Sequence, residues 1–175
     1  MAAATLRADY YGASATFPAG SSAEGGAAWS LDDAKSGTTA IAIPGATGTN
    51  YSWYKYIGLD VTGTGTTNLT NRTVDSSGSL TTGLFFYWQA TASGSYVQPA
   101  SGNKPADSGS NGHTPAGYTL MTTSPAQYDN TSVATSGTGL NGKMIQIAFG
   151  VDNTYTGGAG SAISTLNLLV AYDEA

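Results

Sequence analysis

The chain predicts an all-β fold, an antiparallel β-sandwich of jelly-roll type with about eight short strands, long polar loops and little helix. Three observations carry that expectation. Where apolar residues are dense they recur with a period of two, the spacing that sends alternate side chains to one face of a strand. No stretch of the 175 residues has a convincing amphipathic helical period, and none repeats. Polar segments rich in Gly, Ser, Asn and Pro separate the apolar runs, as loops separate short strands.

From Met1 to Lys35 the pattern is weak, interrupted by Gly12, Pro18, Gly20 and GSSAEGGAA, and an extended arm or loosely attached strand is expected. Ala40 to Ile43 has the length of a short strand stopped by Pro44 and Gly45. Tyr51 to Thr62 is the first strong signal: Tyr51, Trp53, Lys55, Ile57, Leu59 and Val61 alternate with Ser52, Tyr54, Tyr56, Gly58, Asp60 and Thr62. This pattern predicts a half-buried strand with all six of the first set on one face. TGTGTTN is expected to turn the chain, and LTNRTV to form a short strand ending in a turn at Asp75 to Gly78. Leu80 to Thr91 contains LFFYWQ, apolar on both faces, which predicts a strand covered above and below or one whose outer face meets another subunit.

Ser93 to Gly117 is a long polar excursion in which Pro99, Pro105 and Pro115 bar regular structure; loops of this length are usually functional or ordered contact arms. YTLMTT predicts a short strand, and PAQYDNTSVATSGTGLNG a second loop. The densest apolar stretch closes the sequence. Ile145, Ile147, Phe149 and Val151 alternate with Met144, Gln146, Ala148 and Gly150, and Leu166, Leu168, Val170 and Tyr172 repeat that period across the connection NTYTGGAGSA. These two runs are expected to be paired or neighbouring central strands. The organisation expected is a single domain, with 1–50 as arm and first short strands and 51–175 as the β-sandwich.

Composition narrows the function classes. The absence of cysteine removes disulfide frameworks, thiolate metal sites and thiol nucleophiles together. Charged residues are 10% of the chain, against about a quarter in ordinary soluble domains. Six Lys plus Arg against eleven Asp plus Glu give a net charge of −5. Phosphate backbones and anionic membranes need clustered cations, so neither nucleic acid nor a membrane is expected as partner. The start, MAAATLRADYYGA, has no apolar core of signal-peptide length, and no run approaches the ~20 residues of a membrane span.

Candidate chemistry is sparse. His113, the one histidine, stands in NGHTP without a second histidine to complete a ligand set or triad. Carboxylates for glycosidase work would come from Asp32, Asp33, Asp60, Asp129, Asp152, Asp173 or Glu174, but a sugar cleft needs two of them about 5 to 10 Å apart, which spacing in sequence does not reveal. Asp152-Asn153 lacks the alternating acidic pattern of a calcium loop, and turn formation by Asx side chains accounts for it. The glycine-rich TGTGTT and TGGAGSA lack the lysine and following helix of a phosphate cradle. Asn68, Asn71 and Asn130 stand in N-x-[ST] triplets, which a chain this rich in Ser and Thr produces by chance. No catalytic, cofactor or metal site is expected. The aromatic residues Trp53, Tyr54, Tyr56, Phe86 and Trp88, with Tyr51, Phe85 and Tyr87 nearby, suit core, a subunit interface or a sugar-stacking platform.

The segments YKYIGLDVTGTGTTNLTNRTV, GLFFYWQ, YTLMTTSPAQYDN, GVDN and STLNLLVAYDEA together resemble small β-sandwich structural proteins of tailed-bacteriophage virions, those that decorate or cement the capsid or belong to the neck and tail. The likeness covers Tyr54 to Ala175; the first fifty residues carry none of it. It implies a non-enzymatic subunit located in the virion and assembled in the host cytoplasm. It also implies major capsid protein or other virion subunits as partners, self-assembly as a trimer, and no cofactor. The alternative left open by the residues is a carbohydrate-binding β-sandwich for host adhesion, and beyond it a polysaccharide-active enzyme.

Overall fold

The computed structural model describes residues 5–11, 21–22, 39–78, 80–92, 104–140, 143–158 and 167–174. In chain order the strands are β1 (Thr5–Tyr11), β2 (Ser21–Ser22), β3 (Thr49–Tyr51), β4 (Lys55–Ser77), β5 (Leu84–Ala92), β6 (Thr119–Leu120), β7 (Ala126–Asp129), β8 (Val133–Leu140), β9 (Lys143–Asp152) and β10 (Asn167–Glu174). Every pairing between them is antiparallel, and the described residues form no helix.

β4 organises the rest. Along one of its edges β7, β8 and β9 follow one another as a nearly continuous partner, from Val74 opposite Ala126, through Leu69 opposite Val133 and Asp60 opposite Leu140, to Lys55 opposite Ile147. The other edge is divided: β1 lies along Tyr56–Thr62 and β10 along Leu69–Ser77. A straight strand of 23 residues would reach about 75 Å at ~3.3 Å per residue. Yet Ile57 near its start and Val74 near its end belong to one hydrophobic core, so β4 must fold back on itself. The turnover lies in the TGTGTTN stretch, where the register with β8 shifts between Thr64 and Asn68; such irregularities bend a strand and let it pass from one sheet to another.

The result is a sandwich of two antiparallel layers. One layer runs β2, β1, β4, β9, β5, β6, with β3 extending it beside β9. The other is the far half of β4 between β7 and β10. Leu84, Phe86 and Trp88 of β5 and Ile145, Ile147, Phe149 and Val151 of β9 face the second layer. Val74 and Tyr128 meet them from there, with Ala126, Leu168 and Val170 packed against the same core. Phe86 and Phe149 sit directly opposite in register, their ring centroids 5.0 Å apart.

Several expectations are corrected. TGTGTTN does not end a strand; it lies inside β4, which fuses the two predicted strands. The two closing runs do not pair with each other: β9 and β10 both bind β4, on opposite edges. Much of the predicted loop after Pro125 is strand, because β7 and β8 pair with β4. Ala40 to Ile43 is not a strand; Ile41 and Ile43 simply lean on the core, and the Asn50 side-chain amide donates to the Ala42 carbonyl (2.7 Å). Tyr51 and Lys55 do not share a face. Four steps along the chain from Tyr51 to Lys55 oppose three steps from Gly150 to Ile147, so one extra residue flips the alternation, as in a bulge. Ser52 fills the gap: its amide donates to the Phe149 carbonyl (2.8 Å) and its Oγ accepts the Phe149 amide (3.0 Å). The N-terminal arm enters as β1 and β2, while 12–20 and 23–38 lie outside the described residues.

Candidate functional site

The face of β5 and β9 opposite the core carries the unusual chemistry. Strand alternation places Phe85, Tyr87 and Gln89 of β5 beside Gly150, Ala148 and Gln146 of β9, and the flip at Ser52 adds Tyr51 and Tyr56 to the same side. Tyr51 and Tyr87 are wholly buried there, meeting edge to face at 5.9 Å. Gly150 packs tightly beneath them: a Cβ would stand 3.0 Å from Tyr87 Cε2, so the rings would have to shift to admit a side chain. Both β9 faces are therefore covered, unlike an outer sheet surface.

The cover is the segment from Lys104 to Tyr118. It is strapped down by paired backbone bonds between Thr49 and Ser108 (2.9 Å each). Asp107 accepts the Tyr51 amide (3.1 Å) and pairs with Lys104. Thr49 Oγ1 donates to the Ser110 carbonyl (2.8 Å) and accepts the His113 amide (3.2 Å). The Tyr51 hydroxyl donates to the His113 carbonyl (2.6 Å) and lies 2.9 Å from His113 Nδ1. Burial, aided by the Asp107 charge, pushes the Tyr51 hydroxyl up to about 12. At the far end, buried Asp152 accepts the Gly112 amide (3.0 Å) on one oxygen and the Thr154 amide and hydroxyl (2.9 and 2.6 Å) on the other. Beyond the strap, Tyr54 stacks on Tyr118 (5.8 Å, 6° between planes). Gln89 bridges the Tyr118 hydroxyl (3.2 Å) to Gln146, whose amide donates to the Tyr56 hydroxyl (2.7 Å).

A second polar centre ties the β7–β8 junction to β4. Arg72 and Asp129 form an ion pair with side chains 1% and 0% exposed. Asp129 also accepts the amides of Thr131 (2.9 Å) and Lys143 (2.7 Å), while Arg72 donates to the Thr131 carbonyl (3.3 Å). Burial raises the Asp129 carboxyl, but these donors and the Arg72 charge outweigh it and hold the group below the usual carboxylate range.

No protein-family model, curated protein or solved structure matches this chain. Its residues must therefore be weighed by position. Phe86 and Trp88 belong to the core, and Tyr56 is buried under the strap layer. Their side chains stabilise the fold from within, which leaves Trp53 and Tyr54, both half-buried, as the members of that set nearer the surface. His113 is exposed, and its ring meets Tyr51, not a carboxylate. Asp129 and Asp152 are each occupied by backbone amides in separate structural roles. Asp173 accepts the Asn71 side-chain amide (2.9 Å) at the surface, and Glu174 is exposed. Asp32 and Asp33, and the Asp60 side chain, lie outside the described residues. Among the described residues no group of three or more His, Cys, Asp or Glu comes together to hold a metal ion.

Sequence reasoning passes over Thr49, Asp107 and Arg72, which need the strap and the β4–β7 pairing before their partners come within reach; Tyr87 is visible there as one of the aromatic run Phe85 to Trp88. A lone arginine and aspartate 57 positions apart carry no local signature.

Proposed function

We propose that this chain is a structural subunit of a tailed-bacteriophage virion, a cement or decoration protein that bridges capsid subunits by protein–protein contact and uses no cofactor. The observation that supports it best is the β4 spine. One strand carries a hydrogen-bonded partner along both edges and runs through both layers, so a force applied to one layer is shared by backbone bonds with the other. A shell under internal pressure needs subunits of that kind, and a standard contact of about 800 Å² per partner repeated over a shell adds up. The expected partners are major capsid protein subunits, met as a trimer of this chain.

The test is to purify particles and measure this chain's copy number against the capsid protein, with electron microscopy to locate it. Stoichiometric copies on the shell, and particles that burst at lower temperature without it, are the expected results; copies confined to neck or tail would move the subunit there. A free protein absent from particles would defeat the proposal. One observation favours a second reading, a carbohydrate-binding adhesion module: half-buried Tyr54 and Tyr118 stack beside the Gln89 amide, and aromatic rings with an adjacent amide suit sugars. Binding to a glycan panel that is lost in Tyr54→Ala would support it.

A further inference from the structure

The strap contains a reactive pair that the preceding roles do not use. Asn111 is followed by Gly112, the dipeptide in which a backbone amide most easily attacks the neighbouring carboxamide, because glycine offers no side chain to hinder it. In this fold each reacting group is tied to another partner. The Gly112 amide donates to Asp152 Oδ2 (3.0 Å), and Asp152 is itself buried and fixed by Thr154. The Asn111 carboxamide is held at both ends: its Oδ1 accepts the Gly48 amide (2.7 Å) and its Nδ2 donates to Asn153 Oδ1 (2.5 Å). Gly112 takes a φ of +59° that only glycine adopts freely. The site is nonetheless at the surface, with Asn111 and Gly112 both exposed to water.

From this we infer that Asn111–Gly112 is a latent succinimide site, kept unreactive by the closed strap and released when the strap opens. In the open segment the Gly112 nitrogen attacks Asn111 Cγ, a C–N bond forms, the amide proton is lost to solvent, and the side-chain nitrogen leaves as ammonia. Water then opens the five-membered ring at either carbonyl, leaving aspartate or isoaspartate, with no oxidant or cofactor needed. Neither product restores the strap. Aspartate places a carboxylate against Asn153 Oδ1, where the amide donated before; isoaspartate routes the main chain through the former side chain, so the Nδ2 donor is lost there too, and either product adds a negative charge near Asp152. Isoaspartate also lengthens the backbone by one atom between Ser110 and Gly112, so the Thr49–Ser108 and Gly112–Asp152 bonds cannot both be kept. Opening of the strap would therefore be recorded once, irreversibly, in covalent form.

Peptide mapping by mass spectrometry of the full chain, incubated at mildly alkaline pH, tests this. In the folded protein deamidation at Asn111 should run about tenfold or more slower than in denaturant, because the reaction must wait for local opening. Asn153→Ala, which frees one end of the carboxamide, should speed it in folded protein while leaving the denatured rate unchanged. Asp152→Asn should do the same; if that variant fails to fold, the Asn153→Ala comparison stands by itself. Gly112→Ala in denaturant should slow the reaction and so identify the attacking amide. Equal rates in folded and denatured chain would overturn the inference, as would slower reaction in Asp152→Asn, which would make Asp152 a base that promotes the attack.

Discussion

At the scale of single residues, buried polar groups differ sharply in what their removal should do. Asp129→Ala leaves the Arg72 guanidinium buried without its carboxylate and should cost about 3 to 5 kcal/mol in denaturant unfolding. Replacing both with Met and Leu should cost much less, since the pair's desolvation is removed with it. The acid dependence follows from the same site. The Asp129 carboxyl titrates lower folded than unfolded, so its stabilisation is complete above the ordinary aspartate range and drains away as pH falls below about 4. Asp129→Asn should flatten that slope in a pH series of unfolding midpoints. The strap tyrosines give a second contrast. The Tyr87 hydroxyl is buried with no hydrogen-bond partner among the described residues, so Tyr87→Phe should be neutral or stabilising. Tyr51→Phe loses the bond to the His113 carbonyl and should cost about 1 kcal/mol; equal losses in the two variants would contradict this.

At the scale of elements, the contributions of β1 and β10 to the β4 edge are separable. Deleting β10 strips Leu69–Ser77 of one partner and removes Leu168 and Val170 from the core; loss of cooperative unfolding is expected. Deleting the first ten residues uncovers the backbone edge of the other layer between Ile57 and Thr62 and takes from β2 its partner, and a folded but less stable protein is expected. Circular dichroism melts of the two truncations would show it, and a cooperative melt without β10 would refute the first expectation. What the sequence discloses follows the same division. β5 and β9 are legible because their alternating Ile, Phe and Val face a core, and the two-sided apolarity of LFFYWQ correctly announces cover on both faces. β8 and the middle of β4 are hidden because Thr, Ser and Gly pair through the backbone, which leaves no apolar period to read, and β7 because its four residues, AQYD, are too few to show one. The flip at Ser52 is hidden for a different reason: a bulge is defined by the partner strand's count, and YSWYKYI alternates perfectly by itself. The surface aromatic residues and the strap are legible as composition, but their division into core and surface is not.

At the scale of the whole molecule, the shared spine predicts how the chain comes apart. Two layers joined by one continuous strand should unfold in a single transition, with fluorescence from the aromatic core and far-ultraviolet dichroism changing together. Two separated transitions would mean that the halves of β4 hold independently. The same layout dictates the order of making. β4 is synthesised long before the strands that line it: β7, β8 and β9 follow from Ala126 to Asp152, and β10 only from Asn167. Until then β1 is its sole earlier partner among the described residues, and most of its backbone donors and acceptors stand open to any passing strand. Long-range pairing of this kind is slow and exposes edges to association with other chains. The nascent chain thus depends on the interval between translation of its spine and arrival of its flanks, and slowing the ribosome between those points should raise the aggregated fraction without altering the finished fold.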